Sequence, residues 1–344
     1  MLIYNAILTK KSVILGLLLA LASQICFGWG FYSHKLINKQ AVYSLPEGTL
    51  FGFFKKNIGY LTEKAVNPDQ RRNVVPEEAC RHYIDFEAYE RNYKGPLPKY
   101  WSEAVKAFSE DSLNQHGIVP WHIFRVQKQL TKAMTSGNTN AILRLAADIG
   151  HYIGDANVPL HTTMNYDGQF TNQKGIHSLW ETRIPELLST DYDYLVGKAE
   201  YVKDVQAQAW KAVYSAHAEV DSVLKTEERV TKDMPEEHKF TFEEKNNYTI
   251  RVYSREFSEK YSEALNGQVE RQMQKAIKMV ADIWYTSWIE AGQPDLMNLL
   301  PENNDKNEDE EKSPKTPIKN NRFLESYHSC GHDHTFLVHE IIKK

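Results

Sequence analysis

The chain has 344 residues, 42% of them apolar, enough to bury a sizeable core in one or two domains. Its formal charge of -4 implies no broad basic surface, which argues against a protein that grips nucleic acid by its backbone alone. With only Cys26, Cys80 and Cys330, a disulfide scaffold is excluded, although the last two could pair in an oxidising compartment.

At the amino end, Lys10 and Lys11 precede an apolar run from Val13 to Ile25, and Cys26-Phe27-Gly28 offers small residues before Trp29. The pattern reads as a signal peptide over 1–28, too short for a membrane span, and implies a secreted or periplasmic protein. Cleavage after Gly28 would leave Trp29 first. Its α-amine and carbonyl are then available as donors to a metal ion.

Downstream, the expected elements are almost all helical. Leu36, Ile37, Ala41 and Leu45 give Ser33–Leu45 a helical period. Thr49–Leu61 reads as a short helix with loops, and Asn67-Pro68-Asp69 opens a polar loop that runs to Glu77. Arg81–Asp85 is loop or extended. Residues 86–100 carry Gly95, Pro96 and Pro98 and read as irregular. Helical texture resumes at Trp101–Leu113. Pro120 suits the first turn of a helix through Met134. Asn140–Tyr152 is a strong helix with Ile142, Leu145, Ala146, Ile149 and Ile153 on one face. Residues 162–176 form a polar loop, and a helix starts at His177. Residues 198–224 are Ala-rich and helical, whereas 225–243 are charged and poorly patterned. Tyr248–Gly292 reads as two helices broken near Gly267. The fold class expected is all-α with long loops. One main domain is expected over 29–297, then a charged linker over 298–322 and a His-rich disordered tail over 323–344 that contains His328, Cys330, His332, His334 and His339.

The chemistry concentrates in Gly150–His161 and His177–Glu181. In a helix, His151 and Asp155 stand one turn apart on one face, as do His177 and Glu181, and His161 lies between the pairs. Burying Asp155 unpaired on an apolar helix is costly, and a metal ion removes that cost. Imidazoles and carboxylates are zinc ligands. His34, Asp69 and His82 add ligand types, and Arg71 and Arg72 have the donor fork that suits phosphate. His116, His122 and Asp85 have no diagnostic spacing and read as structural.

Taken in order, Trp29, His34, Asp69, His82, His151, Asp155, His161, His177 and Glu181 resemble the ligand series of the zinc-dependent phospholipase C and S1/P1 nuclease superfamily. The resemblance covers about Trp29 to Pro294. It implies an all-α, phospholipase C and P1 nuclease-like domain with three Zn2+ ions. One would be held by Asp69, His82, His151 and Asp155. A second would be held by His161, His177 and Glu181, and a third by the Trp29 backbone, His34 and the bridging Asp155. It further implies hydrolysis of phosphodiesters, with Asp69 orienting the attacking water and Arg72 clamping phosphate. Glu181 in the last position and the short gap from His161 to His177 are similar to the phospholipase branch, which makes a phospholipid the expected substrate. The alternative is an S1/P1-type single-strand nuclease or nucleotidase, which Asp69-Gln70-Arg71-Arg72 and Trp180 resemble. A non-catalytic zinc-binding surface protein is the third reading. Tyr83, Phe86 and Tyr166 are candidates for a flat wall against a headgroup or base. Transient contact with a membrane surface is compatible with this reading, no obligate protein partner is indicated, and a monomer is expected.

Overall fold

The protein is described from a computed structural model over residues 30–299, apart from 246 and 247. Helix α1 (Phe31–Tyr43) enters the interior at once, burying Ile37, Ala41 and Val42 along with the polar His34 and Asn38. Helix α2 (Thr49–Lys56) adds Leu50, Phe53 and Phe54. Short helical turns follow, and Asn67–Arg71 is one of them: Pro68 starts it because its missing N–H is no loss in a first turn. The polar loop expected there is therefore interrupted by a turn that carries Asp69.

Helices α3 (Val119–Ser136) and α4 (Thr139–Asp155) form an antiparallel pair. Gly137, in the left-handed region at φ +70, ends α3, and the Asn138 side chain accepts from the Ala141 N–H to start α4. Helices α5 (Val205–His217), α6 (Val220–Lys232), α7 (Arg255–Ala264) and α8 (Gln268–Glu290) complete the larger helical elements among the described residues. Helix α4 packs against α1, α3 and α8, so its apolar face is enclosed. Ile142, Ala146, Ile149 and Ile153 are fully buried, each isoleucine worth about 1.5–3 kcal/mol relative to exposure. The Trp284 indole N–H of α8 donates to Ala146 O across this core at 3.0 Å.

Three expectations are corrected. Residues Tyr248–Tyr253 are a strand, β2, not helix, and pair antiparallel with β1 (Phe240–Lys245) in the register Phe240↔Tyr253 to Lys245↔Tyr248. Thr249, Ile250 and Val252 favour the pleat, and the helical period begins only with Phe257 and Tyr261. Helix α6 also runs on to Lys232, through sequence read as unpatterned, because Val220, Val223, Glu227 and Val230 recur at helical spacing on its buried side. Finally, Phe86–Asn92 is helical, with Ala88 and Tyr89 buried, and irregularity begins only near Gly95. The fold remains all-α, with one hairpin. The signal segment, most of the linker and the His-rich tail lie outside the described residues. So does Cys330. Cys80 is a buried free thiol.

Candidate metal centre

Eight of the nine expected ligands converge in the interior: His34, Asp69, His82, His151, Asp155, His161, His177 and Glu181, all nearly or fully buried. They come from distant parts of the chain. His34 stands on α1, Asp69 on the Pro68 turn, and His82 ends the 3-10 segment Pro76–Arg81. His151 and Asp155 occupy the last turn and a half of α4, where helical spacing aims both at one point. That turn approaches α1 closely. A methyl on Gly150 would lie 1.8 Å from Asn38 Oδ1, and Asn38 Nδ2 ties the two helices together through Ala147 O at 3.1 Å. Glycine at 150 is what lets His34 stack on His151, with ring centroids 3.7 Å apart.

The second arm is built around a proline. Leu179–Arg183 is wound as a π segment inside the run that starts at Ile176. Pro185 has no N–H to offer the Glu181 carbonyl. That carbonyl instead accepts from the Gly30 N–H and from Ser33 Oγ, each at 3.3 Å. Gly30 is buried there, and a Cβ on it would meet Thr182 at 2.7 Å. The first described residue thus sits against the turn that carries Glu181. Trp29, the ninth expected ligand, lies outside the described residues.

Three groups of donor atoms are spaced to hold a metal ion: His34, Asp69 and His151; His82, His151 and Asp155; and His161, His177 and Glu181. Within them, His82 Nδ1 is 2.9 Å from Asp155 Oδ2 and 3.0 Å from His151 Nε2. His151 Nε2 is 3.5 Å from Asp69 Oδ1, and His34 Nε2 is 3.4 Å from Asp155 Oδ1. In the second arm, Glu181 Oε2 lies 2.9 Å from His177 Nε2 and 3.3 Å from His161 Nε2. Asp155 Oδ1 reaches toward His161 Nε2 at 3.9 Å, linking the arms.

Many of these atoms are buried without a well-formed hydrogen bond. Both ring nitrogens of His34, both oxygens of Asp69, Asp155 Oδ1 and Glu181 Oε1 are in this state. Orphaned buried donors and acceptors of this kind are strongly unfavourable unless something else satisfies them. The nitrogen and oxygen donor set, three groups per cluster, suits zinc.

The charges show how the protein itself balances the site. Burial opposes the Asp69 carboxylate, but His151 and His82 hold its pKa well below the usual range, and His151 and His161 do the same for Asp155. Burial pulls on His151 as well, yet Asp155 and Asp69 push it up to about 10. Burial lowers His82 and His177 to about 4 and pushes the Glu181 carboxyl up to about 8.

The remaining candidates divide clearly. Arg72 Nη1 is 3.6 Å from Asp69 Oδ1 and keeps a partly exposed side chain at the site's edge. Arg71 points the other way, bidentate on Asp148 at 3.2 and 3.1 Å. His122 packs edge-on to Tyr152 with centroids 4.5 Å apart, and His116 lies 3.9 Å from Asp85; none of His116, His122 and Asp85 joins a metal-ligand group. Tyr83 and Phe86 are core residues, at 3% and 1% exposure, and form no open wall. Tyr166 stands nearer, 6.2 Å from the His177 ring, but is itself buried. Sequence reasoning passed over Glu78, fully buried with Oε1 3.7 Å from His82 Nε2; its spacing of four from His82 is the signal that could have found it.

The sequence model of the S1/P1 nuclease family matches residues 35–283, most of the chain and all of the described ligands except His34. The chain belongs to the S1/P1 nuclease family. No curated protein matches the sequence. Among solved structures, an alpha toxin from Clostridium absonum shares 12% identity, with a TM-score of 0.44 over 77% of this chain and 65% of that one. The alpha-toxin of Clostridium perfringens, from avian strain SWCP, shares 14% identity, with a TM-score of 0.45 over 76% of this chain and 65% of its own. The chain therefore spans about 65% of the length of these toxins.

Proposed function

We propose that the protein is a zinc-dependent phosphodiester hydrolase that acts on single-stranded nucleic acid or nucleotides. Family membership supports the reaction class and weighs toward nucleic acid over the phospholipid expected from Glu181 and the short His161–His177 gap. The observation that carries the reading is the convergence of eight buried ligand side chains, among which both nitrogens of His34, both oxygens of Asp69, Asp155 Oδ1, His161 Nε2 and Glu181 Oε1 have no hydrogen-bond partner in the protein.

In this reading His34, Asp69, His82, His151, Asp155, His161, His177 and Glu181 hold three zinc ions, with the Trp29 amine and carbonyl completing the set after export. Bound zinc supplies Lewis acidity, which offsets charge on the phosphate oxygens and lowers the pKa of water. The protein's own groups do the rest. Asp69 stays ionised at neutrality, because His151 and His82 outweigh its burial. Its carboxylate orients the attacking water and accepts its proton as the new P–O bond forms. Arg72, 3.6 Å from Asp69 Oδ1, holds a non-bridging phosphate oxygen in this reading. The ester P–O bond breaks opposite, and the leaving oxygen takes up a proton from solvent.

The amino-terminal segment supports secretion or periplasmic export. No helix among the described residues is long and apolar enough to cross a membrane. Parallel assays on denatured DNA and on phosphatidylcholine vesicles test the substrate. Hydrolysis of the DNA is expected; hydrolysis of the phospholipid alone would return the reading to a phospholipase C.

A further inference from the structure

The histidines of the site do not all present the same nitrogen. His151 donates from Nδ1 to Ala65 O at 2.8 Å, and His161 from Nδ1 to His82 O at 2.8 Å. In both, a backbone carbonyl fixes the tautomer and leaves Nε2 facing the site. His82 is turned the other way. Its Nδ1 faces Asp155 and His151, and its Nε2 points out of the cluster toward Glu78 Oε1, 3.7 Å away. That distance is within ion-pair range, and a ring tilt of under about 1 Å would bring it to a hydrogen bond.

Glu78 is fully buried and is held from three sides. Tyr152 Oη donates to its Oε1, Arg81 Nη1 to Oε2 at 2.5 Å, and Arg71 reaches both oxygens at 3.4 Å. Arg71 has a better partner in Asp148, which it grips with two nitrogens. Arg81 is partly exposed and has water available. The arginines offset part of the desolvation penalty of several kcal/mol that a buried carboxylate carries, but both lie on the side away from the metal-ligand cluster. The remaining neighbour is His82.

Resting on the metal reading of the site, we propose that Glu78 is a positioning residue. It accepts the Nε2–H of His82, fixes the tautomer that leaves Nδ1 bare for a metal ion, and strengthens Nδ1 as a donor. Tyr152, Arg71 and Arg81 in turn hold Glu78 in place. His82 would then be oriented by a carboxylate outside the cluster, whereas His151 and His161 rely on backbone carbonyls. An outer carboxylate raises ligand basicity, and its loss typically weakens metal binding about 10–100-fold.

The direct test is nitrogen NMR of histidine-labelled wild-type protein loaded with zinc. The expected signature is His82 with a protonated Nε2 and a metal-bound Nδ1. The opposite tautomer in a metal-loaded protein overturns the proposal alone. A wild type that takes up no metal overturns the metal reading and this proposal with it. Chelator-competition titrations provide the second arm. Glu78→Gln is expected to weaken one metal ion about 10-fold or more, while Asp148→Asn, which removes the other partner of Arg71, leaves all metal affinities within about twofold. Unchanged affinity in Glu78→Gln, or equal weakening in Asp148→Asn, would make Glu78 a counter-charge for the arginines and nothing more.

Discussion

Around Asp155, two carboxylates and three imidazoles share one buried space; around Glu181, one carboxylate meets two imidazoles. In the first group both carboxylates and one of the three imidazoles stay ionised. Asp69 and Asp155 are held as anions, and His151, despite burial, is pushed up to about 10. The second arm tends to neutrality, with Glu181 pushed up to about 8 by burial and His177 down to about 4. Desolvation acts on both arms, and only the first has enough opposite charges to overcome it. The difference teaches that the two arms offer a cation different fields: the Asp155 arm already holds two carboxylates as anions and has only the His151 proton to release, whereas the Glu181 arm has no anion until Glu181 itself gives up its proton. The Asp155 arm is expected to fill first as zinc is added.

Removing the shared carboxylate breaks this comparison most severely. Asp155→Asn is expected to lose at least two of the metal ions and about 10³-fold in kcat/KM, equivalent to several kcal/mol of transition-state stabilisation. Glu181→Gln is expected to lose one ion and less activity. Metal analysis and kinetics on both variants check this, and equal losses would erase the distinction between the arms.

The two neighbouring arginines sharpen it. Arg72→Ala is expected to lower kcat/KM about 10–100-fold, the worth of a charge-assisted hydrogen bond, with metal content intact. Arg71→Ala is expected instead to destabilise the fold by about 3 kcal/mol, since it strips the buried Asp148 of its bidentate partner. Urea unfolding beside the kinetic assay separates the two, and a large stability loss in Arg72→Ala would contradict its assigned role.

Gly150→Ala probes the packing under the Asp155 arm. The added methyl would collide with Asn38, so a loss of about 1–3 kcal/mol is expected, visible as a lower midpoint in thermal unfolding. An unchanged midpoint would show that α1 and α4 do not need this close approach.

The smallest effect is in protons. At pH 7 the metal-free protein holds one proton on His151, near pKa 10, and one on Glu181, near pKa 8. Both must leave for a metal ion to bind. Calorimetry in buffers of different ionisation enthalpy should find about two protons released at pH 7 and about one at pH 9, where Glu181 is already ionised. The sign follows from the raised carboxyl: affinity in the Glu181 arm climbs with pH up to about 8 and then levels. Proton release that does not change with pH would contradict the charge difference.

Much of this site was legible in the sequence because ligand type and helical spacing are local. His151 with Asp155 and His177 with Glu181 each announce themselves within one turn. His34, Asp69 and His82 could be named only by their place in the ligand series, since nothing local aims them at α4. Glu78 was missed because its value lies in what surrounds it, namely Arg71, Arg81, Tyr152 and His82. The strand at Tyr248–Tyr253 was missed for a related reason. A six-residue run with Tyr, Ile and Val fits either period, and pairing with Phe240–Lys245 decides it. The aromatic wall expected of Tyr83 and Phe86 failed because burial is not written in an aromatic residue. Phe86 is instead stacked on Tyr214, with centroids 4.9 Å apart.

The central claim is that buried ligands from across the chain form a three-zinc centre that hydrolyses phosphodiesters. Zinc titration of the metal-free, exported protein, followed by hydrolysis of single-stranded DNA, tests it most directly. Three ions per chain, with activity appearing only as the last of them binds, is the predicted result. Full hydrolysis by the metal-free protein, or saturation at a single ion with the ligands intact, would contradict it.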